Sequence, residues 1–205
     1  MGGAIITDLD GTLLRGNSMK VFMKWLPAVL LRRGCLGAAF SAVWWCLLRA
    51  CRLTAHSTMK WHLTKVGRRH LEAADWEALA WLLATMLNPK VTEYIDSHPR
   101  CARYIATAAM AEYAVPLSRL LGYDGALATP FAEVEADYKE LRGGEKLAAI
   151  EALLAEKGMR LEAFLTDHYD DLPVAQKYPE QTLLVDAGAA TLAKFAEAGI
   201  SVRSL

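Results

Sequence analysis

The apolar positions change rhythm once along this chain, near residue 88, and that change sets the expected architecture. Residues 4–7 (AIIT) form a short apolar run, partly β-branched, of the length expected for a buried strand. From about residue 18 to 87 no strand pattern follows, Pro27 is the only proline, and Leu, Ala, Trp and Arg dominate. Helices are predicted over 18–32, 34–52, 56–66 and 71–87, with breaks at Arg33-Gly34, Thr54 and Gly67 and with Asn17 or Ser18 as the first cap. From Asn88-Pro89 onward helical and strand patterns alternate. Helices are predicted over 89–98, 111–121, 144–156, 172–178 and 187–198, and strands over 102–106, 125–129, 161–166 and 182–185. This alternation predicts a doubly wound, parallel α/β sheet. Residues 1–14 and 88–205 would form its core, with the all-helical segment 15–87 inserted after the first strand.

The chemistry clusters where predicted strands end. In AIITDLDGTLL, Asp8 and Asp10 lie two residues apart and share a face of the chain, and Gly11 lets the backbone turn before Thr12. At the carboxyl edge of a parallel sheet such a pair can supply a nucleophile, a proton donor and a cation site. Thr107 follows YIA, and its hydroxyl, with the amides of Ala108 and Ala109 opening the next helix, would donate to phosphate oxygens. Lys146 falls in the first helical turn behind Gly143-Gly144, where the helix dipole disfavours a cation unless it meets anions. Asp167 follows an apolar strand and Asp171 lies four residues further on, in FLTDHYDDLP. Carboxylates massed at one edge repel each other, and hard oxygen donors beside phosphate favour Mg²⁺. The metal set is therefore read as Asp8 and Asp167 directly, Asp10 through its carbonyl, and Asp171 from behind, positioning water or Lys146. Each element also has a plain alternative: an Asp-rich turn, an N-cap threonine, a solvated lysine, an acidic loop capping a helix.

The 205 residues carry 23 basic and 23 acidic side chains, so no net field favours nucleic acid. Cys35, Cys46, Cys51 and Cys101 show no metal or disulfide spacing and read as reduced thiols. The start MGGAIITDLD has no leader pattern, and Ile6 stands where a myristoylation signal needs Ser or Thr. The expected compartment is the cytoplasm.

Taken together, DLDGT, Thr107, GGEK and DHYDD resemble, in order, the four motifs of the haloacid dehalogenase superfamily of phosphohydrolases, over roughly residues 4–14 and 100–186. The helical insertion resembles that superfamily's first cap type, and the domain order is similar to its phosphoserine-phosphatase-like members. The resemblance implies an aspartyl phosphate on Asp8, proton transfer by Asp10, phosphate held by Thr107, Ala108 and Lys146, and Mg²⁺ as cofactor. Asp10 favours hydrolysis over the superfamily's other chemistries. The sequence departs from the pattern at Ala108-Ala109, where relatives often carry Gly or Ser. The acidic residue that would grip a serine amino group is missing from LLRGNSMKVFMKW, which argues against phosphoserine.

Substrate choice then falls to the insertion. Its stretch GCLGAAFSAVWWCLL is uncharged over 15 residues between Arg32-Arg33 and Arg49. A helix of that length spans ~22 Å, too short to cross a bilayer. It reads either as the buried centre of a four-helix bundle or as a face resting on a membrane, with Trp25, Trp44 and Trp45 at the interface. The Arg-flanked apolar helices and LRGGEK are loosely similar to phosphatidylglycerophosphatase C relatives, which implies a lipid phosphate as one substrate class beside small-molecule phosphomonoesters. His56, His62, His70 and His98 show no ligand spacing, while His168 sits inside the acidic motif. The rival expectation is a catalytically silent or phosphoacceptor protein of the same fold, acting in signalling or at a membrane surface.

Overall fold

The computed structural model describes residues 2–205. A six-stranded parallel sheet runs through the molecule: β1 (Gly3–Thr7), β2 (Ala102–Met110), β3 (Gly125–Thr129), β4 (Arg160–Thr166), β5 (Thr182–Leu184) and β6 (Arg203–Ser204), in the order β3-β2-β1-β4-β5-β6. The order reverses at β1 and β4, which lie side by side, so their carboxyl ends flank the topological switch point. β1 is the central strand and is covered on both faces, which is why GAIIT is apolar without alternation.

The helices are α1 (Ser18–Arg32), α2 (Leu36–Ala50), α3 (His56–His70), α4 (Ala73–Ala84), α5 (Pro89–Asp96), α6 (Ala111–Leu120), α7 (Gly144–Lys157), α8 (Leu172–Lys177) and α9 (Ala189–Glu197). Asn17 caps α1 by accepting from the Lys20 amide at 2.9 Å. Asn88 does the same for α5 through the Lys90 amide, with Pro89 at the first position. The doubly wound sheet and its helical insertion thus agree with the pattern in the sequence.

The two connections that join the helical segment to the sheet are tied together: Asn88 N donates to Leu13 O and Arg15 N to Met86 O, both at 2.8 Å. Apolar packing continues across the junction. Leu26, Leu30 and Leu79 of the helices belong to one buried cluster with Ile5, Ile105, Tyr113 and Leu165 beneath them. The β3–α7 connection lies over α3, where Phe131 stacks on Trp61 and the Trp61 indole donates to Ala132 O at 2.7 Å.

Three departures from the sequence reading have physical causes. Gly67 does not break α3. Its missing side chain makes room for Trp76, whose Cη2 would lie 2.8 Å from a Cβ there, while Trp76 stacks on Phe22. β2 continues past Ala106 to Met110 because its pairing with β3 resumes at Met110–Thr129 after an irregularity, so α6 begins at Ala111 with Met110 as its cap, and Thr107 caps no helix. The uncharged stretch of α2 is not a buried centre: only Ala39 and Ala42 are buried, while Leu36, Phe40, Val43, Trp44 and Leu47 are exposed.

Candidate active site

All seven residues that the sequence singled out, Asp8, Asp10, Thr107, Ala108, Lys146, Asp167 and Asp171, border one cleft of about 610 Å³ at the carboxyl ends of β1, β2 and β4. Asp8 follows β1 directly, and its amide donates to Leu165 O at 2.8 Å, which locks the switch-point strands together at the residue that carries the carboxylate.

Lys146 is the electrostatic centre. Its ammonium lies 2.8 Å from Asp8 Oδ1 and 2.7 Å from Asp171 Oδ1, and the lysine is 3% exposed. The dipole argument for Lys146 is therefore met by two anions rather than by solvent. Gly143, at φ +57°, turns the chain so that α7 starts here. Thr166 Oγ1 donates to Asp171 Oδ2 at 2.7 Å, so both oxygens of Asp171 are engaged and the residue faces the lysine. Burial disfavours the ammonium, but Asp8 and Asp171 outweigh it and hold Lys146 protonated. Burial pushes Asp8 up to about 7 against the pull of Lys146, with Asp171 and Asp10 adding repulsion.

Asp10 points the other way, toward the helical segment. Its carboxylate accepts from the Ser18 amide at 2.6 Å and the Ser18 hydroxyl at 3.0 Å, and that hydroxyl lies 3.0 Å from Tyr113 OH. Burial raises the Asp10 pKa, the Ser18 bonds oppose it, and the net shift is upward. Asp167 accepts from Thr12 Oγ1 at 3.1 Å and is also raised, first by burial. It packs directly on Gly11: a Cβ there, at φ +83°, would sit 2.2 Å from Asp167 Oδ2.

Thr107 lies within β2 rather than at a helix start, and its Oγ1 accepts from the Ala109 amide at 3.0 Å. That amide is therefore spent internally, while the hydroxyl proton stays available to a ligand. Ala108 O accepts from Thr129 Oγ1 at 2.8 Å and from Lys60 Nζ at 2.9 Å. Lys60, Thr12 and Thr166 were not assigned roles from the sequence, and Ser18 was assigned only that of a helix cap. Lys60 is a buried α3 lysine that also lies 3.0 Å from Glu140, so it fastens the helical segment to β2 and to the β3–α7 connection. Nothing in MKWHL signals that contact. Of the two cap candidates Asn17 takes that role, and Ser18 serves Asp10 instead. His168 borders the cleft, and its Nδ1 accepts from the Asp170 amide at 3.1 Å, capping a short 3₁₀ turn.

The sheet order and the carboxylates gathered at its switch point define a doubly wound α/β protein with an acidic, lysine-bridged site. The sequence profile of the haloacid dehalogenase-like hydrolases matches residues 5–176, and the chain belongs to that family. Its fold is similar to that of a protein of unknown function from Bordetella pertussis Tohama I, with a TM-score of 0.72 at 15% identity, covering 99% of this chain and 98% of that one. It is also similar to a probable phosphoserine phosphatase from Vibrio cholerae, with a TM-score of 0.63 at 13% identity over 99% of this chain and 60% of that one. A phosphoserine phosphohydrolase-like protein from Francisella tularensis SCHU S4 gives 0.52 at 14% identity, over 96% and 99%. No curated protein sequence matches the chain significantly.

Proposed function

We propose that this hydrolase is a cytoplasmic, Mg²⁺-dependent phosphomonoesterase that works through an aspartyl phosphate on Asp8, with residues 15–87 as a cap that selects the substrate. The observation that carries this reading is the buried Lys146 bridge between Asp8 and Asp171, in a cleft that Asp10 and Asp167 also border. An Asp8 oxygen attacks phosphorus as the bond to the leaving oxygen breaks, and Asp10, whose raised pKa favours the protonated form, gives that oxygen its proton. Asp10 then takes a proton from water as the water oxygen attacks phosphorus, the bond to Asp8 breaks, and phosphate leaves. Thr107 and Lys146 hold the phosphate oxygens, and Asp171 positions Lys146. The four unpaired cysteines fit a reducing compartment.

The donor set suits the metal. Six carboxylates, Asp8, Asp10, Glu140, Asp167, Asp170 and Asp171, border the cleft with four cationic side chains, Lys20, Lys60, Arg142 and Lys146, a surplus of negative charge that a divalent cation offsets. Among the described residues no three acidic, His or Cys side chains converge as a cage. The Asp8 and Asp167 carboxylates with the Asp10 carbonyl would leave positions for water and phosphate oxygens, the arrangement Mg²⁺ favours. When bound, the ion neutralises charge on the transferring phosphoryl group.

The cleft has room for more than phosphate. Lys20 and Arg142 on its border, the latter 3.9 Å from Asp170, favour a leaving group with its own negative charge, as in a lipid phosphate with an anionic headgroup. Phosphate release from a panel spanning p-nitrophenyl phosphate, phosphoserine, glycerol 3-phosphate and micellar lipid phosphates tests the reading. Release with Mg²⁺ is expected to fall roughly 100-fold or more in EDTA and to return when Mg²⁺ is restored; no release from any ester would overturn it. Gly11→Ala is expected to push Asp167 aside and cost roughly 100-fold in kcat/KM. Parental kinetics in that variant would remove Asp167 from the site.

A further inference from the structure

The chain is electrically neutral overall, yet its charges are sorted. Residues 11–71 contain 11 Lys and Arg and no Asp or Glu, leaving 12 basic residues against all 23 acidic ones elsewhere. That acid-free segment holds α1, α2 and α3. Within it, α2 is inside out. Its small residues Ala39 and Ala42 face inward together with half-buried Trp45, which stacks on His62, while five large ones, Leu36, Phe40, Val43, Trp44 and Leu47, recur at helical spacing on the outer face. Phe40 is 70% exposed and Trp44 49%, the two rings stacked at 6.4 Å. Leu31 and Leu53 extend the apolar face beyond either end of the helix. Arg32, Arg33, Arg49 and Arg52 bracket it, and among the described residues Arg33 alone of these pairs with acidic side chains, Glu72 and Asp75.

We infer that the α2 face docks on the surface of an anionic phospholipid bilayer. A second copy of the chain would cover the apolar ridge, but it would bring another acid-free basic segment against the first, and like charges oppose that pairing. Lipid phosphates supply the opposite charge together with an apolar interior. The geometry is that of a helix lying in the interface: aliphatic and aromatic side chains on one face, arginines at the ends within reach of headgroups, and a tryptophan at headgroup depth. Among the described residues no helix is long and apolar enough to cross a membrane, so the contact is peripheral. α1 and α2 form a hairpin through the short connection 33–35, so the end of α2 returns toward the first turn of α3. His56 and Lys60 of α3 border the cleft. His56 stands six residues after the end of α2, so the border of the cleft lies close along the chain to the docking helix.

Vesicle flotation with the full chain tests the inference. Vesicles of phosphatidylglycerol and phosphatidylcholine are expected to carry the protein upward, and pure phosphatidylcholine vesicles are not; added salt should weaken the first case. Phe40→Ser with Trp44→Ser is expected to lower partitioning roughly 100-fold, and Arg32→Ser with Arg52→Ser roughly tenfold or more. Both pairs lie at the surface, and circular dichroism and phosphate release from soluble p-nitrophenyl phosphate should match the parent. Flotation reads binding whether or not the chain cleaves phosphomonoesters, so failure of the catalytic reading would be seen separately. Absence of flotation with anionic vesicles would overturn the inference. Equal flotation of parent and Phe40/Trp44 variant would do the same, as would a dimer by light scattering that this variant dissolves.

Discussion

Asp8→Asn is expected to abolish phosphate release, by about 10⁴-fold or more, while leaving the protein folded. The size follows from the chemistry: an amide oxygen is a poor nucleophile, and without the covalent step only binding and electrostatics remain. Folding should survive because the substitution is nearly isosteric. The asparagine oxygen can still accept from Lys146, and Lys146 keeps its 2.7 Å contact with Asp171. Removing one charge from a buried acidic cluster also relieves repulsion that Asp171 and Asp10 exert on Asp8. A melting temperature at or slightly above the parent's is therefore expected together with lost turnover. Single-turnover trapping with radiolabelled ester should give acid-stable label on the parent and none on the variant. Turnover within tenfold of the parent would remove Asp8 as the nucleophile.

The parts of this architecture that were legible in the sequence are those fixed by local chemistry. β1 was readable because a central parallel strand must be apolar on both faces, and the Asp8–Thr12 turn because carboxylates and Gly interrupt that run abruptly. Lys146 was readable because a lysine at a helix start needs anions. What stayed hidden depended on distant partners. Gly67 looks like a helix break until Trp76, nine residues on, fills its empty side-chain position. Thr107 looked like a helix cap because the three residues after it fit a helix, yet pairing with β3 carries the strand to Met110. Lys60 and Glu140 meet across the cleft from segments 80 residues apart, so neither marks the other. For α2, composition reported a hydrophobic helix, but only packing shows that Ala39 and Ala42 face in while Leu36, Phe40, Val43, Trp44 and Leu47 face out. β6, two residues long, carries too short a pattern to read.

Lys146→Met tests the site from the side of stability and has the largest expected structural effect. Methionine keeps most of the volume of the side chain but removes the only ammonium held by both Asp8 and Asp171, two residues with almost no solvent contact. Breaking a buried ion pair from one side leaves uncompensated charge, at a cost of about 3–5 kcal/mol. In a chain of this size that lowers Tm by roughly 10 °C. The deficit should depend on pH in a defined direction. In the parent burial already raises Asp8 to about 7, above its ordinary value of 3.8, and without Lys146 the carboxyl rises further. A group whose folded pKa is raised binds more protons folded than unfolded, so stability falls as pH climbs through the window between the two values. The variant should therefore approach the parent near pH 5 and separate from it most above pH 8, when both are melted in EDTA. Adding Asp171→Asn should cost less in the variant than in the parent, because one of the two stranded charges is then gone. A variant that melts with the parent at every pH would mean that solvent already reaches these carboxylates, and the buried bridge on which the site rests would have to be abandoned.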